Sequence, residues 1–132
     1  RRNFLPIVGL LSLFVLGACS AERDPKIASL NALEVADSQL LDAAAELDTT
    51  NCFPRSLMPK FRAVDAKDWT SGFFPGSLWQ CYRFTGDEKL LAEAEKYTAR
   101  LEGIQYYKGT HDLGFMVFCS FGQQMQTLHD RH

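Results

Sequence analysis

The run Trp69-Thr70-Ser71-Gly72-Phe73-Phe74-Pro75-Gly76-Ser77-Leu78-Trp79-Gln80-Cys81-Tyr82-Arg83-Phe84, closed by Thr85-Gly86-Asp87 and followed by Glu88 to Glu102, decides the fold. Phe74, Leu78, Cys81 and Tyr82 recur at helical spacing, so this helix buries one face, and Trp79 reads as core. Thr85-Gly86-Asp87 breaks it, and Asp87 carries a side chain suited to cap the next helix. From Glu88, the residues Leu90, Leu91, Ala94, Tyr97 and Leu101 mark a second amphipathic helix, which Gly103 is placed to end. Two helices joined by so tight a turn form a hairpin.

Outward from this hairpin the apolar period stays near 3.6. Ile27 to Leu47 predicts a long helix through Ile27, Leu30, Leu33, Leu40, Leu41, Ala44 and Leu47. Asp48 to Asp68, with Pro54, Pro59 and several turn formers, predicts a long loop, and such loops within compact domains are often functional. Its bases Arg55, Lys60 and Arg62 read as solvated. After Gly109-Thr110-His111-Asp112, the stretch from Leu113 to Leu128 predicts a fourth helix, with Phe115, Met116, Phe118 and Cys119 mostly inward. No strand is expected. The fold class is all-α, and the alternation of long and short connections is what stacked helical hairpins give.

The first residues read as an export signal. Arg1 and Arg2 form a basic start, and Phe4 to Ala18 is an apolar stretch short for a bilayer span. Leu16-Gly17-Ala18-Cys19 resembles the bacterial lipobox, in which the Cys19 thiol takes the lipid. An ordinary secretory signal followed by a chance Cys is the plainer alternative. Arg1-Arg2-Asn3-Phe4-Leu5 also resembles a twin-arginine signal, although a plain basic start accounts for it. The expected organisation is a signal peptide over 1–18, a lipidated Cys with its tether over 19–26, and a helical domain over 27–132. The expected location is exported and membrane-anchored, in the periplasm or at the cell surface.

The chain of 132 residues allows one domain, and 46% hydrophobic with 12% aromatic residues describes a core-forming sequence. The net charge is −2 and no basic stripe is present, so nucleic acid is not an expected partner. Cys52, Cys81 and Cys119 are widely spaced, without a CxxC, so no metal site is expected. Cys81 and Cys119 read as core thiols, with a disulfide between them an open alternative. His129 and His132 read as a loose polar tail.

Three stretches together resemble the unsaturated glucuronyl hydrolases. They are Asp68-Trp69-Thr70-Ser71-Gly72-Phe73-Phe74-Pro75-Gly76 with Leu78-Trp79, then Tyr82-Arg83-Phe84-Thr85-Gly86-Asp87, then Gly109-Thr110-His111-Asp112-Leu113-Gly114-Phe115-Met116. Their order and spacing agree from roughly Leu30 to Gly122, and the likeness fades from Gln123. The resemblance implies a six-hairpin helical toroid, an (α/α)6 barrel, of which these residues would form an incomplete part. It implies an enzyme that hydrates the C4=C5 enol ether of an unsaturated uronic acid at the end of an oligosaccharide. C4 is protonated, water adds at C5, and the hemiketal opens with loss of the glycosidic bond. No cofactor is implied, and water is the second substrate. This differs from the usual two-carboxylate displacement at the anomeric carbon.

The resemblance also implies site roles. Asp112 would be one of two catalytic aspartates, mainly binding and orienting the sugar. The second, the principal proton donor and acceptor, lies downstream in the family and has no counterpart up to His132, so this chain alone is expected to be inactive. Trp69 would form a pocket wall, His111 would bind substrate or orient Asp112, and Phe115 would face the sugar. From the residues alone, Asp112 reads first as a helix N-cap, Trp69 also as a core anchor, and Phe115 equally as core. Gly72, Gly76 and Gly114 read as places of close helix or substrate approach. Other readings are an unsaturated rhamnogalacturonyl hydrolase or a sugar epimerase on the same toroid, or a non-catalytic helical fragment that binds carbohydrate. The sequence does not fix the oligomeric state.

Overall fold

A computed structural model describes residues 24–56 and 61–130. The signal segment, the lipobox with Cys19, Lys60 and His132 lie outside the described residues. The order of elements is α1 (Pro25–Glu46), β1 (Phe53–Ser56), β2 (Arg62–Val64), α2 (Phe73–Thr85) and α3 (Glu88–Ala99). A 3-10 turn (Ile104–Tyr106), α4 (Leu113–Val117), a π-helical turn (Phe118–Gly122) and α5 (Gln123–His129) follow.

The α2–α3 hairpin forms where the sequence predicts it. Gly86 closes α2 at φ 71°, a left-handed conformation natural to glycine, and its N–H reaches the Tyr82 carbonyl. Asp87 then caps α3 by accepting from the Lys89 N–H at 2.8 Å. Between the two helices lie the fully buried Leu78, Trp79, Leu90, Ala94, Tyr97 and Leu101. The Trp79 indole donates to Thr98 Oγ1 at 2.9 Å, so its one polar atom is satisfied inside the core. Phe74 and Phe53 both meet the Tyr97 ring edge-on, at 4.7 and 5.8 Å between centroids.

The first helix starts two residues before the predicted Ile27, inside the expected tether. Asp24 accepts from the Lys26 N–H, and Pro25 sits where a missing N–H costs nothing. Ile27, Leu30 and Val35 stay exposed, and burial concentrates at the other end, around Ala44, whose carbonyl accepts from the Tyr97 hydroxyl at 3.1 Å. The Arg100 guanidinium lies 4.0 Å from the Tyr97 ring centroid and donates to the carbonyls of Asp48 and Cys52, pinning the chain that leaves α1. Among the described residues no helix is long and apolar enough to cross a membrane.

Two sequence expectations are corrected. The predicted loop over 48–68 contains an antiparallel two-stranded ribbon, β1 against β2. Strands of four and three residues are too short to show alternation, and one buried residue, Phe53, anchors the ribbon on Tyr97. The predicted fourth helix is interrupted by the π-helical turn, and its inward residues are Met116, Ser120 and Thr127. Phe115 and Phe118 point outward and Cys119 is half-buried. The cause is close packing: a Cβ on Gly76 would lie 2.4 Å from the Cys119 carbonyl oxygen, so this contact is backbone to backbone and leaves no room for a phenyl ring. The Ser120 hydroxyl turns back to the Met116 carbonyl at 2.6 Å and needs little space.

Candidate functional site

The turn before α2 is held by carboxylates. Asp65 accepts from the Lys67 N–H, and Asp68 Oδ1 accepts from the Thr70 N–H at 3.0 Å and hydroxyl at 2.6 Å. The buried Ser71 hydroxyl donates to the Ala66 carbonyl. This turn carries Trp69, which is 42% exposed and therefore no core anchor. The Trp69 ring meets Phe73 at 5.9 Å and Phe115 at 6.5 Å between centroids, and Phe73 meets Phe115 at 5.9 Å. The three rings form a mutual cluster, each partly open to solvent: Phe73 is 39% and Phe115 52% exposed.

Asp112 sits at the N-cap position of α4, yet its side chain makes no capping hydrogen bond. Its own N–H donates to the Thr110 hydroxyl at 3.0 Å, which orients the backbone without occupying the carboxylate. The Asp112 carboxylate is 27% exposed, and the nearly fully exposed His111 brings Nε2 within 3.6 Å of Oδ2. At that separation the two groups are neighbours and not hydrogen-bonded. Asp112, His111, Gly114, Phe115, Phe118 and Cys119 surround a hollow of about 390 Å³. A Cβ on Gly114 would meet nothing within 4 Å, so this glycine leaves open space by the carboxylate and mediates no helix contact.

Phe115 joins the acid to the aromatic cluster, since it belongs to both. What sets their relative position is Gly72. A Cβ there would lie 2.4 Å from the Met116 oxygen and 2.8 Å from the Phe115 oxygen, so the start of α2 and the start of α4 touch through backbone. Trp69, His111, Asp112 and Phe115 are thus brought to one end of the helices. A carboxylate beside a partly exposed aromatic wall suits a sugar, whose C–H face stacks on rings while its hydroxyls seek acceptors.

Sequence reasoning assigned no site role to Phe73 or Phe118. A signal for Phe73 existed: Phe73 and Phe74 are adjacent on a helix, about 100° apart, so both cannot face one core. Phe118 carried no such signal, because its exposure depends on the π-helical turn. A larger groove of about 1210 Å³ runs between α1, the ribbon and α2, past Gln39, Arg55, Phe61, Gln80 and Gln123. It reaches the aromatic cluster through Phe73 and does not include Asp112, which lines the smaller hollow.

Of the remaining candidates, Cys119 lines the Asp112 hollow. Cys52, Cys81 and Cys119 are free thiols. Burial pushes the Cys81 thiol up to about 12, with the Asp37 side chain adding to it, and burial also raises Cys119. Arg55 pairs with Asp68, while Arg62 is exposed on β2. His129 lies 3.8 Å from Asp130 at the surface. Among the described residues no three His, Cys, Asp or Glu side chains converge as a metal site would require.

No family model matches the chain. Two curated proteins, both unsaturated glucuronyl hydrolases, are similar to it. That of Formosa agariphila is 46% identical over 79 residues, which are 58% of this chain and 20% of that protein. That of Bacillus sp. (strain GL1) is 38% identical over 68 residues, 46% of this chain and 17% of that protein. The aligned stretches thus span a fifth or less of the length of these relatives. A solved unsaturated glucuronyl hydrolase specific for heparin superposes with a TM-score of 0.61 at 39% identity, covering 75% of this chain and 28% of that one. The helical hairpins described above therefore have the arrangement found in part of that enzyme's helical toroid.

Proposed function

We propose that this chain carries the Asp112 part of a glycoside hydrolase site for oligosaccharides that end in an unsaturated uronic acid. The reaction is hydration of the C4=C5 enol ether, with a proton added at C4, water at C5, and the glycosidic bond lost as the hemiketal opens. Trp69, Phe73 and Phe115 stack the sugar, and Asp112 and His111 bind and orient its hydroxyls. What carries this reading is the uncapped Asp112 carboxylate sharing Phe115 with the exposed aromatic cluster. The 46% identity to an unsaturated glucuronyl hydrolase supports the same chemistry. In this scheme Asp112 binds and orients the sugar, and a second acid supplies the proton. The first segment directs export and Cys19 is lipidated; labelled palmitate should enter the wild-type protein and not Cys19→Ser.

An unsaturated uronyl disaccharide tests the reading. Because Trp79 is fully buried, a saturable change in tryptophan fluorescence reports on Trp69 and should vanish in Trp69→Phe. No change at millimolar disaccharide would contradict the binding role.

A further inference from the structure

The β1–β2 ribbon carries an irregularity at one residue. Phe53 pairs with Val64, Pro54 with Ala63, and Ser56 with Arg62, so Arg55 is the extra residue of a β-bulge. Bulges re-aim a side chain, and here the re-aimed group is the Arg55 guanidinium, which donates to Asp68 Oδ2 thirteen residues away. The other oxygen of Asp68 already holds the Thr70 N–H and hydroxyl. One carboxylate therefore accepts three hydrogen bonds, from the ribbon on one side and the turn on the other. Both partners are mostly covered, with side chains 29% and 17% exposed. Trp69 lies between Asp68 and Thr70, and its ring rests against Phe73 and Phe115.

We infer that Arg55 and Asp68 are positioning residues for Trp69: the bulged ribbon locks the turn and so holds the indole at the angle the saccharide meets. A pair near the surface contributes little to stability, so the consequence of this one is geometric. A charge-assisted bond to a carboxylate that also orders its own turn restricts Trp69, which otherwise has two free side-chain torsions. Burial pushes the Asp68 carboxyl up, but the Thr70 and Arg55 interactions outweigh it and hold it below its ordinary value, as a clamp that stays ionised requires.

The saccharide arm of the test rests on the proposed function; the tryptophan arm does not. The full chain is compared with Arg55→Met, Arg55→Lys and Asp68→Asn, which keeps an acceptor for Thr70. Acrylamide quenching reads Trp69 alone, because Trp79 is fully buried. With the clamp lost, the quenching constant should rise roughly twofold as the ring goes from 42% exposed toward full exposure. Affinity for an unsaturated uronyl disaccharide should fall about tenfold, the size of one lost coupled contact. Arg55→Lys, which keeps the charge without the planar fork, should recover part of both changes. Quenching and affinity equal to wild type in Arg55→Met and Asp68→Asn, with native circular dichroism, would overturn the inference. If Arg55→Met does not fold, Asp68→Asn and Arg55→Lys decide the matter from the same two readouts. If the wild-type chain binds no disaccharide yet the variants free Trp69, the positioning stands and the proposed function fails.

Discussion

The α2–α3 hairpin and the end of the molecule that carries Asp112 use the same residue types to opposite ends. In the hairpin, Trp79 and Phe74 are buried, with the indole N–H satisfied by Thr98. At the Asp112 end, Trp69 and Phe73 expose about two-fifths of their surface, and Trp69 meets Phe73 and Phe115 edge to face. Apolar surface left in water costs stability that burial would recover, at about 25 cal/mol per Å². Three such rings gathered beside an uncapped carboxylate fit the ligand of the proposed function. The hairpin supplies stability, and the site draws on it through the backbone contacts at Gly72 and Gly76.

The largest effect expected from this contrast is at Trp79. Trp79→Ala should cost about 3–5 kcal/mol through the cavity left behind, with the unpaired Thr98 hydroxyl adding to the loss. Trp69→Ala should cost under about 1 kcal/mol while removing saccharide binding. Urea unfolding of both variants checks the pair; equal losses would erase the distinction between core and platform. Next comes Gly72→Ala, whose methyl group would be driven into the Met116 and Phe115 carbonyls and should cost about 1–3 kcal/mol. Gly114→Ala meets open space, so it should be neutral or slightly stabilising by up to about 1 kcal/mol on helix propensity. Weaker binding in Gly114→Ala at unchanged stability would sharpen the assignment of the hollow to the sugar.

A smaller effect is expected with acid. Asp68 is held below its ordinary value of 3.8, so its contribution is fully present above that pH and is lost as pH falls through the lower folded value. Thermal midpoints of wild type should therefore fall more steeply below about pH 4 than those of Asp68→Asn, which has no such group to protonate. Parallel acid limbs in the two proteins would show that the clamp does not contribute.

The hairpin was legible because its signals are local. Gly86 and Asp87 must break and cap, and Leu78, Leu90, Ala94 and Tyr97 recur with the helical period. Trp69, His111, Asp112 and Phe115 were singled out through motif resemblance; the structure shows that they lie at one end, and their roles rest on the proposed function. The ribbon was not legible, because four- and three-residue strands give no period to read and their pairing depends on Phe53 finding Tyr97. The outward turn of Phe115 and Phe118 was hidden for a different reason. A helical period assigns faces by phase, and the π-helical turn together with the close approach at Gly76 resets that phase through a contact between residues distant in sequence.

The central claim is that one saccharide lies against Trp69 and Phe115 with its hydroxyls toward Asp112. Saturation-transfer NMR with an unsaturated uronyl disaccharide measures this directly, using wild type and Asp112→Asn. The account expects saturation to pass to the sugar ring protons in wild type and to disappear in Trp69→Ala. It expects binding to weaken in Asp112→Asn at unchanged stability, because that carboxylate caps nothing. Full transfer persisting in both Trp69→Ala and Asp112→Asn would contradict it.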